Sequence, residues 1–167
     1  MKVSVKHMTQ AALIAGLYVI LSYLQDLILP GSGTWAIQYR ISEALCVLAF
    51  FTPAAIPGLG IGCLLFNISA AGALPLDFLV GTLASLLAAA GMYLTRNVRL
   101  GKLPLPGLLF PALFNGLLVG WELSYYIGGG FWFNAGCVAL GEVAVLLTLG
   151  AVLYFTLQIR GLDRRLF

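Results

Sequence analysis

Residues 39–71 read YRISEALCVLAFFTPAAIPGLGIGCLLFNISAA, and the fold turns on whether they form one membrane span or two. The only charges in this stretch are Arg40 and Glu43, near its start, and Pro53 and Pro57 interrupt its middle. Proline is tolerated in the first turn of a helix and breaks its interior. The two prolines therefore read as a stop and a restart, giving helical runs at 39–52 and 54–71. Similar punctuation divides the rest of the chain into runs at 8–29, 75–95, 104–127 and 131–158. Pro30 with Gly31 and Gly33 ends the first run, Pro75 opens the fourth, Pro104 and Pro106 open the fifth, and Gly128, Gly129 and Gly130 separate the last two.

The basic residues test this count. With six spans and the N-terminus inside, the inner segments are 1–7, 53–57, 96–103 and 159–167. They then hold Lys2, Lys6, Arg96, Arg99, Lys102, Arg160, Arg164 and Arg165, leaving only Arg40 toward the outside. Positive charge accumulates in cytoplasmic loops. Five spans would put Arg96, Arg99 and Lys102 opposite Lys2 and Lys6. Six spans with both termini cytoplasmic is the expectation. The second run is short: about 14 residues at 1.5 Å each give about 21 Å, against a hydrocarbon core of about 30 Å. It is expected to start within the membrane or to line a watery cavity.

Composition agrees. Of 167 residues, 61% are hydrophobic and 9% charged, and mean hydropathy is +1.01. Soluble domains carry about 25% charged residues. The chain reads as an all-α multi-pass membrane protein, one domain over 1–167, and a soluble enzyme is excluded. Met1 to Gln10 hold no small-residue cleavage site before a soluble domain, so the apolar run that starts there reads as a span rather than a removed signal. Cys46, Cys63 and Cys137 lie singly in apolar runs, so they suggest neither a disulfide nor a metal site and read as small apolar residues.

The acids carry more information. Asp163 falls in the basic tail, where it pairs locally, but Asp26, Glu43, Asp77, Glu122 and Glu142 fall within spans or near their outer ends. A carboxylate inside a bilayer costs a few kcal/mol, so it faces a cavity or a partner. Arg40 and Glu43 share a helix face and can pair, or one of them can serve a ligand. Asn67 follows the Gly58-x-Gly60-x-Gly62 run, where Gly58 and Gly62 make a close-packing face. Asp77, Gly81 and Ser85 recur every four residues; Asn115 lies seven before Glu122, and Asn134 eight before Glu142. Intramembrane amides also serve as glue between helices, but four helices with inward-running polar faces point to an outward-facing pocket. Trp35, Trp121 and Trp132 cluster at the same outer level, as an interfacial belt or as stacking partners for a planar ligand. In the first run, Ala11 with Ala15 and Ala12 with Gly16 form small-residue pairs that admit another helix closely. No phosphate-binding loop, catalytic triad or HExxH occurs, and the one histidine is His7. No catalytic residue, cofactor, metal or nucleic-acid partner is expected, and the chain has no ATP site of its own.

Several strings resemble the queuosine-precursor transporter (QueT) family: Ala12 to Tyr18, Gln38-Tyr39-Arg40-Ile41-Ser42-Glu43-Ala44-Leu45, Ile56-Pro57-Gly58 through Asn67, Leu76-Asp77 with Gly81-Thr82, Asn115-Gly116-Leu117 and Gly141-Glu142. The resemblance implies a six-helix S component of an energy-coupling factor (ECF) transporter in the bacterial plasma membrane. Such a component captures a vitamin-like molecule outside, and a scaffold transmembrane subunit with two ATPase subunits drives release inside. It also implies scaffold contact through Ala11, Ala12, Ala15 and Gly16, and a pocket covered by the loop from Pro30 to Gln38. The implied substrate is a queuosine precursor such as 7-aminomethyl-7-deazaguanine (preQ1) or a related base such as queuine, with cobalamin as the alternative. An excess of acids over one outer arginine suits the cationic base. Outside the transporter class, the same acids would serve an intramembrane enzyme or a structural assembly factor. The residues expected at the substrate are Gln38, Arg40, Glu43, Asn67, Asp77, Asn115, Glu122, Asn134 and Glu142, with Trp35, Trp121 and Trp132.

Overall fold

A computed structural model describes residues 4–32, 38–70, 73–101 and 104–161. The described elements are all helical: α1 (Val5–Ile28), a 3₁₀ helix (Ile41–Phe50), α2 (Ala55–Ser69), α3 (Asp77–Leu94) and α4 (Leu105–Tyr126). The last helix is continuous but irregular: α5 (Phe131–Val145), a π turn (Leu146–Gly150) and α6 (Ala151–Ile159). Among the described residues, four helices are long and apolar enough to cross a membrane: α1, α3, α4 and the continuous Phe131–Ile159 unit. The 3₁₀ helix and α2 are apolar but shorter. The punctuation works as read. Pro104 caps α4 and a proline occupies its first turn, while Gly31, Gly128 and Gly129 turn the chain at φ +80°, +90° and +82°.

The second run is where the structure departs from an ordinary α-helix. Long 3₁₀ runs are uncommon, because their hydrogen-bond geometry is poorer. A rise of about 2.0 Å per residue stretches ten residues to about 20 Å, where an α-helix would reach about 15 Å. Every residue from Ser42 to Phe50 is buried. The 3₁₀ helix is therefore the axle of the bundle, apolar all round from Ala44 to Phe50 because protein surrounds it. It packs on α1, α2, α3, α4 and the α5–α6 unit. The π turn lies against it: a Cβ at Gly150 would stand 3.2 Å from Val47 Cγ1, and Leu146 is fully buried.

Small residues set the spacing of α1 and α2. A Cβ at Gly58 would come 2.8 Å from the Ala11 carbonyl oxygen, and one at Gly62 would come 3.0 Å from the Ala15 carbonyl. Ala11 and Ala15 are thereby consumed in packing within the chain. Ala12 and Gly16 face outward instead, and among the described residues nothing comes within 4 Å of a Cβ built on Gly16. The main apolar core gathers Tyr18, Leu45 to Phe50, Leu59, Met92, Leu108, Leu146 and Tyr154. A smaller apolar cluster of Val119, Leu123 and Val138 joins α4 to α5.

Candidate functional site

Beside this core lies a buried polar cluster. Glu43, Asp77, Glu122 and Glu142 are all buried, as are Arg40, Asn67 and Asn115. Their charges gather around one guanidinium: Arg40 lies in the field of Asp77 and Glu43, and Glu142 and Glu122 both lie in the field of Arg40. Four buried carboxylates thus surround a single buried arginine among the described residues.

Arg40 precedes the first residue of the 3₁₀ helix in extended conformation, so its side chain leaves the strand-like segment rather than the helix. Beside it, a glycine makes room for Asn67. A Cβ at Gly81 would come 2.6 Å from Asn67 Nδ2 and 3.8 Å from Arg40 Nη1. Asn67 Nδ2 donates to the Asp77 carbonyl at 2.8 Å, and Asp77 Oδ2 accepts from the Leu74 N–H at 2.8 Å. These bonds tie the end of α2 to the start of α3. A second glycine admits the chain itself, since a Cβ at Gly141 would overlap the Gln38 carbonyl. Gln38 is thereby buried against α5, one residue from Glu142.

The carboxylates differ in what they touch. Glu43 Oε1 accepts from Tyr18 Oη at 2.6 Å, and its Oε2 accepts from Cys46 Sγ at 3.1 Å. Glu142 Oε1 accepts from Asn115 Nδ2 at 2.9 Å, but its Oε2 and Asn115 Oδ1 have no partner. Neither oxygen of Glu122 meets a well-aligned donor, although its carboxyl lies beside that of Asp77; Thr82 Oγ1 is without a partner too, as is Ser85 Oγ, which lies beside the Cys63 thiol. Six buried polar atoms on α3, α4 and α5 are thus unsatisfied among the described residues. Each such atom costs about 1–3 kcal/mol. Chemically, the arrangement offers carboxylate acceptors and an amide oxygen to a ligand rich in donors.

Other expected residues lie elsewhere. Asn134 Nδ2 donates to Ser124 Oγ at 2.9 Å and to the Gly128 carbonyl at 3.0 Å, fastening the turn between α4 and α5. Trp121 is 50% exposed and Trp132 77% exposed, so both present rings to the bundle's surroundings rather than to the cluster. Trp35 and most of the loop from Pro30 to Gln38 fall outside the described residues, as does Asp163. Asp26 is half-buried near the end of α1. Cys46 and Cys63 are buried, as the apolar runs predict, but not as inert filler: Cys46 donates to Glu43 and Cys63 accepts from Asn67 at 3.5 Å. Cys137 is only half-buried.

Sequence reading passed over Tyr18, Ser22, Gln25, Ser42 and Thr82 as site residues. The first three fall at i, i+4 and i+7 in an apolar helix, a polar stripe that periodicity alone could have flagged. An open cavity of about 440 Å³ lies where α2 ends and α3 begins, and Asn67, Ile68, Leu74, Pro75 and Phe78 are among its lining residues. Through Asn67 it adjoins the polar cluster.

Among known proteins, the family model described as QueT transporter matches residues 8–159. No curated protein matches the chain, and no solved structure does.

Proposed function

Because the chain belongs to the QueT transporter family, a family of membrane transporters, we propose that it is the substrate-binding S component of an ECF transporter and takes up a small cationic deazaguanine. The substrate we assign is 7-aminomethyl-7-deazaguanine or a close relative. The observation that carries this reading is the set of unsatisfied buried acceptors: Glu122 Oε1 and Oε2, Glu142 Oε2 and Asn115 Oδ1. A guanine-like edge supplies N–H donors, and an aminomethyl group supplies an ammonium. One carboxylate accepts the edge and another pairs the ammonium, with charge-assisted bonds stronger than neutral ones. Four buried acids against one guanidinium give a cationic ligand carboxyl groups to ionise and pair with. Cobalamin offers no matching cationic group for Glu122 and Glu142.

The chain's part in transport is binding. Energy comes from two ATPase subunits through a scaffold subunit, and we assign the scaffold contact to the outward face of α1 at Ala12 and Gly16. What supports this face is that no described residue comes within 4 Å of a Cβ built on Gly16, whereas Ala11 and Ala15 are already packed against α2. Gly16→Trp is expected to abolish co-purification with the scaffold and leave ligand binding intact. Co-purification at the wild-type level would remove that face from the account. The membrane orientation follows charge: described Lys6, Arg96, Arg99 and Arg160 belong to segments expected inside, whereas Asp77 and Glu122 belong to the opposite ends of their helices.

Calorimetry on the purified protein tests the substrate. The aminomethyl base should bind at least about tenfold more tightly than 7-methyl-7-deazaguanine, which lacks the ammonium, since a hydrogen bond to a charged group contributes about 1.5–3 kcal/mol. Equal affinity for the two bases would contradict the role of the acids. Binding of cobalamin with no binding of either base would leave a transporter with a different substrate.

A further inference from the structure

The residues that hold Arg40 and Glu43 in place come from α1, and none of them belongs to the acid cluster. Tyr18, Ser22 and Gln25 are buried along one face of α1. Tyr18 Oη donates to Glu43 Oε1 at 2.6 Å. One turn on, Ser22 Oγ donates to the Tyr18 carbonyl at 2.9 Å and is hydrogen-bonded to Ser42 Oγ at 2.9 Å, with the Ser42 hydroxyl free to donate in return. Gln25 makes three bonds: its Oε1 accepts from the Ile41 N–H at 2.6 Å, and its Nε2 donates to Ser32 Oγ at 2.8 Å and to the Tyr39 carbonyl. The rungs run antiparallel: as α1 advances from 18 to 25, its partners step back from 43 to 39.

The ladder answers a local need. The first N–H groups of any helix lack intrahelical partners, and Arg40 makes no side-chain cap at the start of the 3₁₀ helix. Gln25 supplies the missing acceptor from a neighbouring helix. The Tyr39 N–H bond to the Ser32 carbonyl, at 3.1 Å, closes the same junction from the backbone side. Residues 39–43 are thus held at both ends and in the middle, and Arg40 lies inside the held segment.

We propose that Tyr18, Ser22 and Gln25 are positioning residues that fix Arg40 among the acids before ligand arrives, and so set the site's preference between cationic and neutral bases. They touch no ligand. The selectivity part rests on the reading that the acids around Arg40 receive a deazaguanine; the ordering of 39–43 does not. If Arg40 is released, less of the acids' charge is neutralised. Neutral bases then lose more affinity than cationic ones. A merely structural role would weaken both equally.

Two measurements on full-length protein decide this. The first is backbone hydrogen exchange over 39–43 in the ligand-free protein, comparing wild type with Gln25→Leu, which removes all three Gln25 bonds at similar volume. Exchange should speed up at least about tenfold over 39–43 and remain unchanged in α3 and α4. Unchanged exchange over 39–43 would overturn the proposal. The second is calorimetry with 7-aminomethyl-7-deazaguanine and 7-methyl-7-deazaguanine, in which the cationic-to-neutral affinity ratio should rise at least about threefold. Faster exchange with an unchanged ratio would overturn the positioning role. If wild type binds neither base, the substrate reading falls with the selectivity claim, and exchange alone decides whether the ladder orders the segment. Should Gln25→Leu fail to fold, Ser22→Ala removes one rung and is judged by the same two readouts, with smaller expected changes.

Discussion

On the α1 side of the buried cluster, Tyr18, Ser22 and Gln25 each end in hydrogen bonds, and both oxygens of Glu43 are occupied. On the α3–α5 side, Thr82, Ser85, Asn115, Glu122 and Glu142 carry six buried polar atoms that meet no partner among the described residues. The two sides face one guanidinium and pack on one 3₁₀ helix. Satisfied groups make a frame, because leaving any of them unmade costs about as much as an ordinary mutation. Unsatisfied groups lower stability in the empty protein and contribute to affinity when a ligand completes them. Of the four buried carboxylates, Glu43 is thus satisfied within the chain, and Glu122 and Glu142 are the ones the proposed ligand would complete.

Substitutions can break this contrast from either side. The largest expected effect is Glu142→Gln, which keeps the side chain's size and removes its charge. Affinity for the aminomethyl base should fall about 10- to 150-fold, while affinity for the neutral base changes much less. Calorimetry on both ligands checks this, and equal losses for the two would place Glu142 in the frame. Next comes Tyr18→Phe, which strips Glu43 Oε1 of its donor. Stability should drop by about 1–3 kcal/mol, read as denaturant unfolding in detergent; unaltered stability would show that Glu43 does not depend on this bond. Asn134→Ala should cost about 1 kcal/mol by loosening the turn at Gly128 and leave base affinity within about twofold. A large affinity loss there would move Asn134 into the site. The smallest effect belongs to Thr82→Val. Deleting an unsatisfied hydroxyl at nearly constant volume should leave unfolding stability within about 0.5 kcal/mol of wild type or raise it.

Much of the fold was legible because proline and glycine punctuate the chain. The run 54–71 becomes α2 at Ala55–Ser69, and 131–158 becomes the continuous unit Phe131–Ile159. The 3₁₀ winding of Ile41–Phe50 was not legible. From Ala44 to Phe50 the segment is apolar on every side, so nothing in its pattern there separates a period of 3.0 from one of 3.6. Acids at 77, 122 and 142 announced themselves because each is costly in a membrane. Spacing also groups Asn134 with Glu142, yet the three glycines just before it already described a turn in need of fastening. The division between Ala11/Ala15 and Ala12/Gly16 could not come from α1 alone. It is set by Gly58 and Gly62 on the neighbouring helix.

The central claim is that the unsatisfied acids of α4 and α5 await a small cationic base. Mass spectrometry of ligand carried through gentle purification tests it most directly, comparing wild type with a Glu122→Gln/Glu142→Gln double variant. The account predicts a planar, amine-bearing base of the deazaguanine type on wild type and its loss from the double variant. A corrinoid on wild type, or the same base retained equally by both proteins, would contradict it.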